Sequence, residues 1–558
     1  MPSALRAVML FALLVAAALG RARAADDPVV AVVAVDGYAD IKKQLGWVGA
    51  RVGNPQLAAL AESFVMMATQ FKGLAGLDVN RPAGVVVTAD GDQPVVHGYI
   101  PVKDLDRLLA ALQGVTGPVD QAGGKRVVTL PTGLRLEIEE RDGWAVVAPQ
   151  GSPAGVTNAE ALIDGVAEVY SIGAKLFPSA MPAGMREQLK AALEQASEAA
   201  AAQGQPIDAA GMNAALDGLA DTESLMVGLA VDVPAERMFV ESRSVMLPGS
   251  AAAAVWSDAG KTANALGLPA AADGKPAAIR AHHAQAVPPA ARPAIEATLA
   301  QALPAGSGDA ITDALFGLVQ DLVGAMLDAG GLEAGVAVDT TGVKADALLP
   351  AVTLAANVKD GPALEQQVKR RFGAEGSLPP EAKITFDAGK AAGANLHEIA
   401  IDISGLPAAD QFGDRLEATL AVTADRAYLL VGGDVAKRLE AAVAAGKAAD
   451  PASKPLTGVD ISVPGLMAYA AELATASGDK AAGDVLGEVA AESADKASAG
   501  VQVLVRPIER GVALRLSADA GAIETIAAAI TRQAGGPVGP AAGGLPVPNG
   551  GAAPALAP

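Results

Sequence analysis

Two adjacent histidines, His282 and His283, stand in the stretch AIRAHHAQA at 278–286, half of the four histidines in a 558-residue chain that has no cysteine. With no thiolate on offer, a transition-metal site would have to be built from imidazole and carboxylate, so a metal centre is the first chemistry to weigh. The stretches VVAVVAV at 29–35 and AAIRAHHAQAV at 277–287 both read as strands. In the second, Ile279, Ala281, His283 and Gln285 alternate with Arg280, His282 and Ala284. Adjacent strand residues point apart and adjacent helix residues do not face each other, so the pair cannot close on one ion; a helical zinc pair needs i, i+4 spacing. His97 in VVHGYI and His397 in LHEIAID each lack a second histidine. No ligand set repeats, and the four are expected as surface or core-edge strand residues without a metal.

Other reactive arrangements fail in turn. Asp258-Ala259-Gly260-Lys261-Thr262 resembles the end of a phosphate-binding loop, but the first glycine of GxxxxGK[ST] falls on Val255. There is no G-x-S-x-G elbow, and a cysteine nucleophile is impossible. Glu139-Glu140 reads as a solvated hairpin rim. Met66 and Met67, with Phe64 and Phe71, could line an apolar ligand site, but core packing is the simpler reading of such a helical stripe. No catalytic, cofactor-binding or metal residue and no cofactor follow from these patterns.

The ends bound where the chain goes. Residues 1–24, MPSALRAVMLFALLVAAALGRARA, place Arg6 before a short apolar run and end on Ala22-Arg23-Ala24, a signal peptide with cleavage expected after Ala24. The run is shorter than the roughly 20 apolar residues of a membrane span, and no stable span is expected after cleavage. Export to the periplasm or the extracellular space is the expected localisation. The formal charge of −20 becomes about −23 without the three signal arginines, which opposes nucleic acid and anionic lipid. Residues 535–558 are uncharged and rich in Gly, Pro and Ala, the composition of a disordered tail.

Between the ends the chain reads as if written twice. Gly76-Leu77-Asp78 after a helix near 56–71 is answered by Gly331-Leu332-Glu333 after a helix near 311–327. Val102-Lys103-Asp104 opens one helix and Val358-Lys359-Asp360 another. The repeated Lys-Asp pair could be an acid and a base, but N-capping by Asp104 and Asp360 explains it more simply. A hairpin turning at Asp142-Gly143 into Trp144 is matched by one turning near Asp425 into Tyr428, and a last hairpin carries Pro234-Ala235-Glu236-Arg237 or Pro507-Ile508-Glu509-Arg510.

These anchors predict repeat one at 25–266, a linker at 267–276 and repeat two at 277–534. Each repeat is expected to build its own sheet, with Asp104 on Asp360, Trp144 on Tyr428 and Pro234 on Pro507. The fold class is α+β, two tandem repeats of mainly antiparallel sheet with covering helices. The signal peptide, the VKD helix starts and the terminal hairpin VQVLVRPIERGVALRLSA resemble a group of uncharacterised exported proteins of planctomycete bacteria; the resemblance covers most of the mature chain and implies no activity for any residue.

Three functions remain as expectations: a non-catalytic structural or interaction protein, a carrier of apolar ligands or lipids, and a carboxylate-dependent hydrolase. The expected partner is a protein or an apolar ligand. An internal channel lined by Leu, Val and Met would favour the carrier, and a cleft holding carboxyls of raised pKa would favour the hydrolase.

Overall fold

The computed structural model describes residues 28–122, 125–130, 133–152, 155–202, 218–259, 266, 277–303, 310–373, 378–405, 409–448, 455–494, 496 and 499–533. The expected signal peptide, linker and tail lie outside the described residues. Hairpins alternate with helices, which makes the class α+β. The first ten strands are β1 (Val29–Val35), β2 (Ala83–Asp90), β3 (Gln93–Pro101), β4 (Val119–Ala122), β5 (Lys125–Thr129), β6 (Arg135–Arg141), β7 (Trp144–Pro149), β8 (Ile172–Leu176), β9 (Thr222–Asp232) and β10 (Arg237–Met246). The next ten are β11 (Ile279–Ala286), β12 (Gly331–Asp339), β13 (Ala351–Asn357), β14 (Ala382–Ala391), β15 (Ala394–Asp402), β16 (Arg415–Val422), β17 (Arg426–Val431), β18 (Thr457–Ser462), β19 (Gly500–Ile508) and β20 (Gly511–Asp519).

Every pairing is antiparallel, and together they make one sheet. From edge to edge it runs β4-β5-β6-β7-β3-β2-β1-β8-β9-β10. It continues β20-β19-β18-β11-β12-β13-β17-β16-β15-β14. The expectation of a separate sheet for each half is therefore wrong. Strands β10 and β20 would each be an open edge if the halves stood apart, and nine residue pairs, Arg237 with Asp519 through Val245 with Gly511, close those edges on each other.

Two of the anchors also fall on unlike positions. Pro234 lies in the turn between β9 and β10, whereas Pro507 is inside β19, paired with Val512, because the β19–β20 turn is shorter. Trp144 is the first residue of β7 and Tyr428 the third of β17. The capping anchors do correspond in chemistry. Asp104, with extended backbone (φ −158°), accepts the Arg107 N–H at 3.0 Å, and Asp360 (φ −147°) accepts the Ala363 N–H at 2.9 Å. The helix Leu105–Thr116 lays Leu105, Leu108 and Leu109 on Val128, Ile138 and Ala145. The helix Gly361–Phe372 lays Leu364, Val368 and Phe372 on Leu420, Val422 and Ala427.

The seam carries a buried ionic cluster. Glu241, in the middle pair of the nine, faces Arg515 and is almost fully buried. Its carboxylate accepts Arg515 Nε at 2.6 Å, Arg243 Nε, and the Tyr170 hydroxyl at 3.1 Å. Burial alone would raise the Glu241 pKa, but the hydrogen bonds from Arg515 and Arg243 outweigh it and hold the carboxyl below its ordinary value. Arg515 also lies over the Phe239 ring, 4.1 Å from its centroid. The Tyr170 ring rests directly on the backbone of Gly228 and Gly173, where any Cβ would collide with it. Around it Val32, Ala34, Val86, Ile163, Val166 and Phe239 form the largest core of the first half.

Candidate functional site

Strand alternation holds at the histidine pair. Both ladders of β11 run in unbroken register, so His282 and His283 face opposite sides of the sheet. The His283 Nδ1 meets the Thr457 hydroxyl at 2.9 Å, and the His282 ring lies on Gly458, directly across the ladder. His97 and His397, expected at the surface or the core edge, are instead among the most buried side chains. Each occupies an inward position of a strand flanked on both sides by other strands, and burial pushes both pKa values down.

His397 belongs to a constellation that spacing in the sequence conceals. Its ring lies beside Glu365, from the Asp360-capped helix, and Asp387, from a bulge of β14; their ligand-type atoms all lie within 4.8 Å of one another. The set could coordinate a cation, but two features argue against it. The Lys369 ammonium already bridges Glu365 and Asp387 at 2.7 Å to each. The backbone N–H of Asp387 donates to His397 Nδ1 at 3.1 Å, which places the imidazole proton on Nε2, 3.6 Å from Glu365. An Nε2 that carries a proton has no lone pair for a metal. Burial, then the bonds from Lys369 and Asn395, set the Glu365 carboxyl; their net effect is a lowered pKa. The Asp387 carboxyl is lowered mainly by Lys369. The apolar pocket next to this cluster, between Leu318, Phe372, Ile384, Phe386 and Ile399, holds only about 50 Å³. That is room for a water or two rather than an acyl chain.

A much larger cleft lies in the second half. It encloses about 830 Å³, within the range of small-molecule sites. One wall is the sheet, where Arg280, Asp460 and Gln502 lie in one row across β11, β18 and β19. The Asp460 carboxylate is held between the Gln502 amide at 2.7 Å and Arg280 at 3.4 Å. The other wall is the helical hairpin of Val463–Ala476 and Lys480–Ser493, which presents Ala468, Tyr469, Gly487, Ala490 and Ala491.

Local chemistry fixes this hairpin. Ser462 caps its first helix through Gly465 N–H, Gly478 (φ 90°) makes the turn, and Asp479 caps the second through Ala482 N–H. Gly483 lets the two helices close on Thr475. The 340–345 segment ties the rim, with the Thr340 hydroxyl donating to Gly465 O at 3.2 Å and the Ala345 N–H donating to Glu472 at 2.9 Å.

Carboxyls at the cleft differ in their environment. Burial raises the pKa of Asp519, with Arg237 and the Gly500 N–H opposing it. Asp339 accepts the Thr341 N–H at 2.8 Å, and Lys496 pairs with Glu524 at 2.8 Å. The walls are therefore mixed, with Arg280, Asp460 and Gln502 on the sheet side and mostly small apolar groups, beside Tyr469 and Glu472, on the helix side.

Sequence reasoning missed every residue of this cleft, because its wall is assembled from strands and helices far apart in the chain. One signal was present: Asp460 and Gln502 are polar residues between apolar neighbours in their strands, Val459 and Ile461 for the first and Val501 and Val503 for the second. Asp258 is in the helix Ala251–Ala259, and Gly260 to Thr262 lie outside the described residues. Phe64, Met67 and Phe71, expected to pack in a core, are exposed, and no residue of the helix Leu57–Ala68 is buried. Among the described residues no helix is long and apolar enough to cross a membrane. No family model, curated protein or solved structure matches the chain.

Proposed function

We propose that this chain is an exported, non-catalytic binding protein made of two copies of one ten-strand unit, with its ligand site in the cleft between the 463–493 helical hairpin and the sheet. The cleft carries the reading: its size suits a small molecule, its polar row is already held by internal hydrogen bonds, and its helical wall is built mostly of small side chains beside Tyr469 and Glu472. The proposed ligand is a small polar solute with an apolar side, oriented by Arg280, Asp460 and Gln502.

The order of strands supports the duplication, since β1–β10 and β11–β20 take the same sequence of neighbours from opposite edges of the sheet. Export rests on residues 1–24, and kinship with the planctomycete exported proteins on the VKD helix starts and the terminal hairpin.

A panel of amino acids, dicarboxylates and sugars, screened by thermal shift, tests the site. A solute present at 100 times its Kd adds about 2.7 kcal/mol to stability. At least one class should raise the melting temperature of the wild type and leave a Gly487→Leu variant unmoved. Position 487 suits this purpose because it lines the cleft and a Cβ there meets nothing nearer than the Ala471 methyl at 3.8 Å.

A second reading has one observation in its favour. Asp519, a carboxyl of raised pKa, lines the same cleft as Asp339 and Asp460, which is what a carboxylate hydrolase would need. Turnover of a panel member that disappears in Asp519→Asn would establish it. The apolar-carrier reading has less support, since the described apolar pocket is too small for a lipid chain.

A further inference from the structure

The helix Leu57–Ala68 is the most exposed apolar element of the described residues. Leu60, Phe64, Met67 and Phe71 are 56, 66, 63 and 78% exposed, in a chain whose aromatic content is only 3%. Within the helix Leu60, Phe64 and Met67 are spaced four and three residues apart, as in the seam of a pair of helices, and Phe71 extends the ridge just past the helix end. Ala59 and Ser63, also exposed, flank the ridge with small side chains that let a second helix approach.

The backbone at the end of the ridge points the same way. Gln70 (φ 52°) and Phe71 (φ 65°) are consecutive left-handed residues, a conformation that side chains other than glycine resist, and the Phe71 N–H is fastened to Met66 O at 2.6 Å. Strained backbone thus holds a bulky aromatic ring out in solvent.

We propose that this ridge is the contact through which the protein pairs with a second copy of itself. Packed antiparallel about a two-fold axis, the ridge is self-complementary, with Leu60 against Phe71 and Phe64 against Met67 of the second copy. Side chains of this size at these exposures offer roughly 500 Å² per copy, so about 1,000 Å² in all, the low end for a specific interface.

Charge favours this occupant over a bilayer. The only charged residue of the helix, Glu62, is neutralised by Lys42 at 2.7 Å, and Lys43 is engaged with Asp40. Lys72, next to Phe71, donates to Ala110 O at 2.9 Å, so the bases beside the ridge, Lys42, Lys43 and Lys72, are each engaged and make a poor fringe for holding an acidic chain against lipid.

Sedimentation equilibrium of the full mature chain tests the proposal. The average mass should rise from one chain to two with a Kd on the order of micromolar, as befits so small an interface. Phe64→Ser/Phe71→Ser should keep its circular dichroism, because both rings are already in water, and should weaken pairing roughly tenfold or more. As the chain has no cysteine, Met67→Cys supplies a single thiol, which should cross-link under mild oxidation faster than the exposed control Ser477→Cys. A wild type that stays one chain up to about 100 μM, a dimer that survives the double substitution, or a Met67→Cys no faster than its control would overturn the proposal. So would a single-chain protein that binds phosphatidylcholine vesicles through Phe64 and Phe71, because the ridge would then belong to a membrane.

Discussion

Replacing Glu241 with alanine should remove the anion around which the middle of the sheet is organised. Three donors, Arg515, Arg243 and the Tyr170 hydroxyl, converge on that carboxylate, and the side chain itself is 4% exposed. Breaking a buried pair by deleting one partner costs about 3–5 kcal/mol. The side chains of Arg243 and Arg515 are 36% and 24% exposed, so both guanidiniums recover some hydration and the low end applies, about 3 kcal/mol at neutral pH. The pH dependence has a definite sign. The folded pKa of Glu241 is depressed, so its contribution is present above the unfolded value of about 4.3 and is lost as pH falls through the folded value. The penalty for Glu241→Ala should therefore shrink in acid. Urea unfolding followed by two probes is the suitable assay. Trp47, Trp144 and Trp256 all precede residue 266, so fluorescence reports the first half while far-ultraviolet circular dichroism reports both. In the wild type the two transitions should coincide, because β10·β20 joins the halves. A loss under about 1 kcal/mol, against the buried-pair figure of several, would refute the role given to the cluster; wild-type transitions that separate would refute the coupling through the seam.

Other substitutions test the elements that position the sites. Asp104→Ala and Asp360→Ala should each cost about 1 kcal/mol in urea unfolding, since each carboxylate satisfies one N–H of the first helical turn. His97 and His397 have folded pKa values below the unfolded value of about 6.5, so stability should fall as pH drops from that value toward their folded ones, by about 1.4 kcal/mol per pKa unit per group. His97→Leu should flatten that slope, and an unchanged slope would remove His97 from the account. Gly228→Ala should cost about 1–3 kcal/mol, because the new methyl must displace the Tyr170 ring; a neutral result would mean that the ring does not rest where it is placed.

Much of the local architecture was legible because local signals carry it. The apolar run VVAVVAV marked β1, period-two alternation marked β11, Asp142-Gly143 marked the β6–β7 turn, and the carboxylates after Val-Lys marked two helix starts. What escaped was set by contacts between distant segments. The chemistry of β10 alone does not reveal that its open edge meets β20, and a motif match cannot tell Pro234 in a turn from Pro507 in a strand. The exposed ridge was misread because an apolar helical stripe looks the same whether it faces its own core or a partner. His397 read as isolated since its neighbours Glu365, Lys369 and Asp387 arrive from another helix and a bulge. The cleft is the extreme case, its lining drawn from five strands and two helices.

The claim that the cleft binds a solute without transforming it is tested most directly by isothermal titration calorimetry with the panel member that gives the largest thermal shift, followed by mass analysis of the recovered solute. The wild type should bind one solute per chain and return it unchanged, and Gly487→Leu should show no heat of binding. Binding that persists in Gly487→Leu would place the site elsewhere, and a recovered product in place of the solute would make the protein an enzyme.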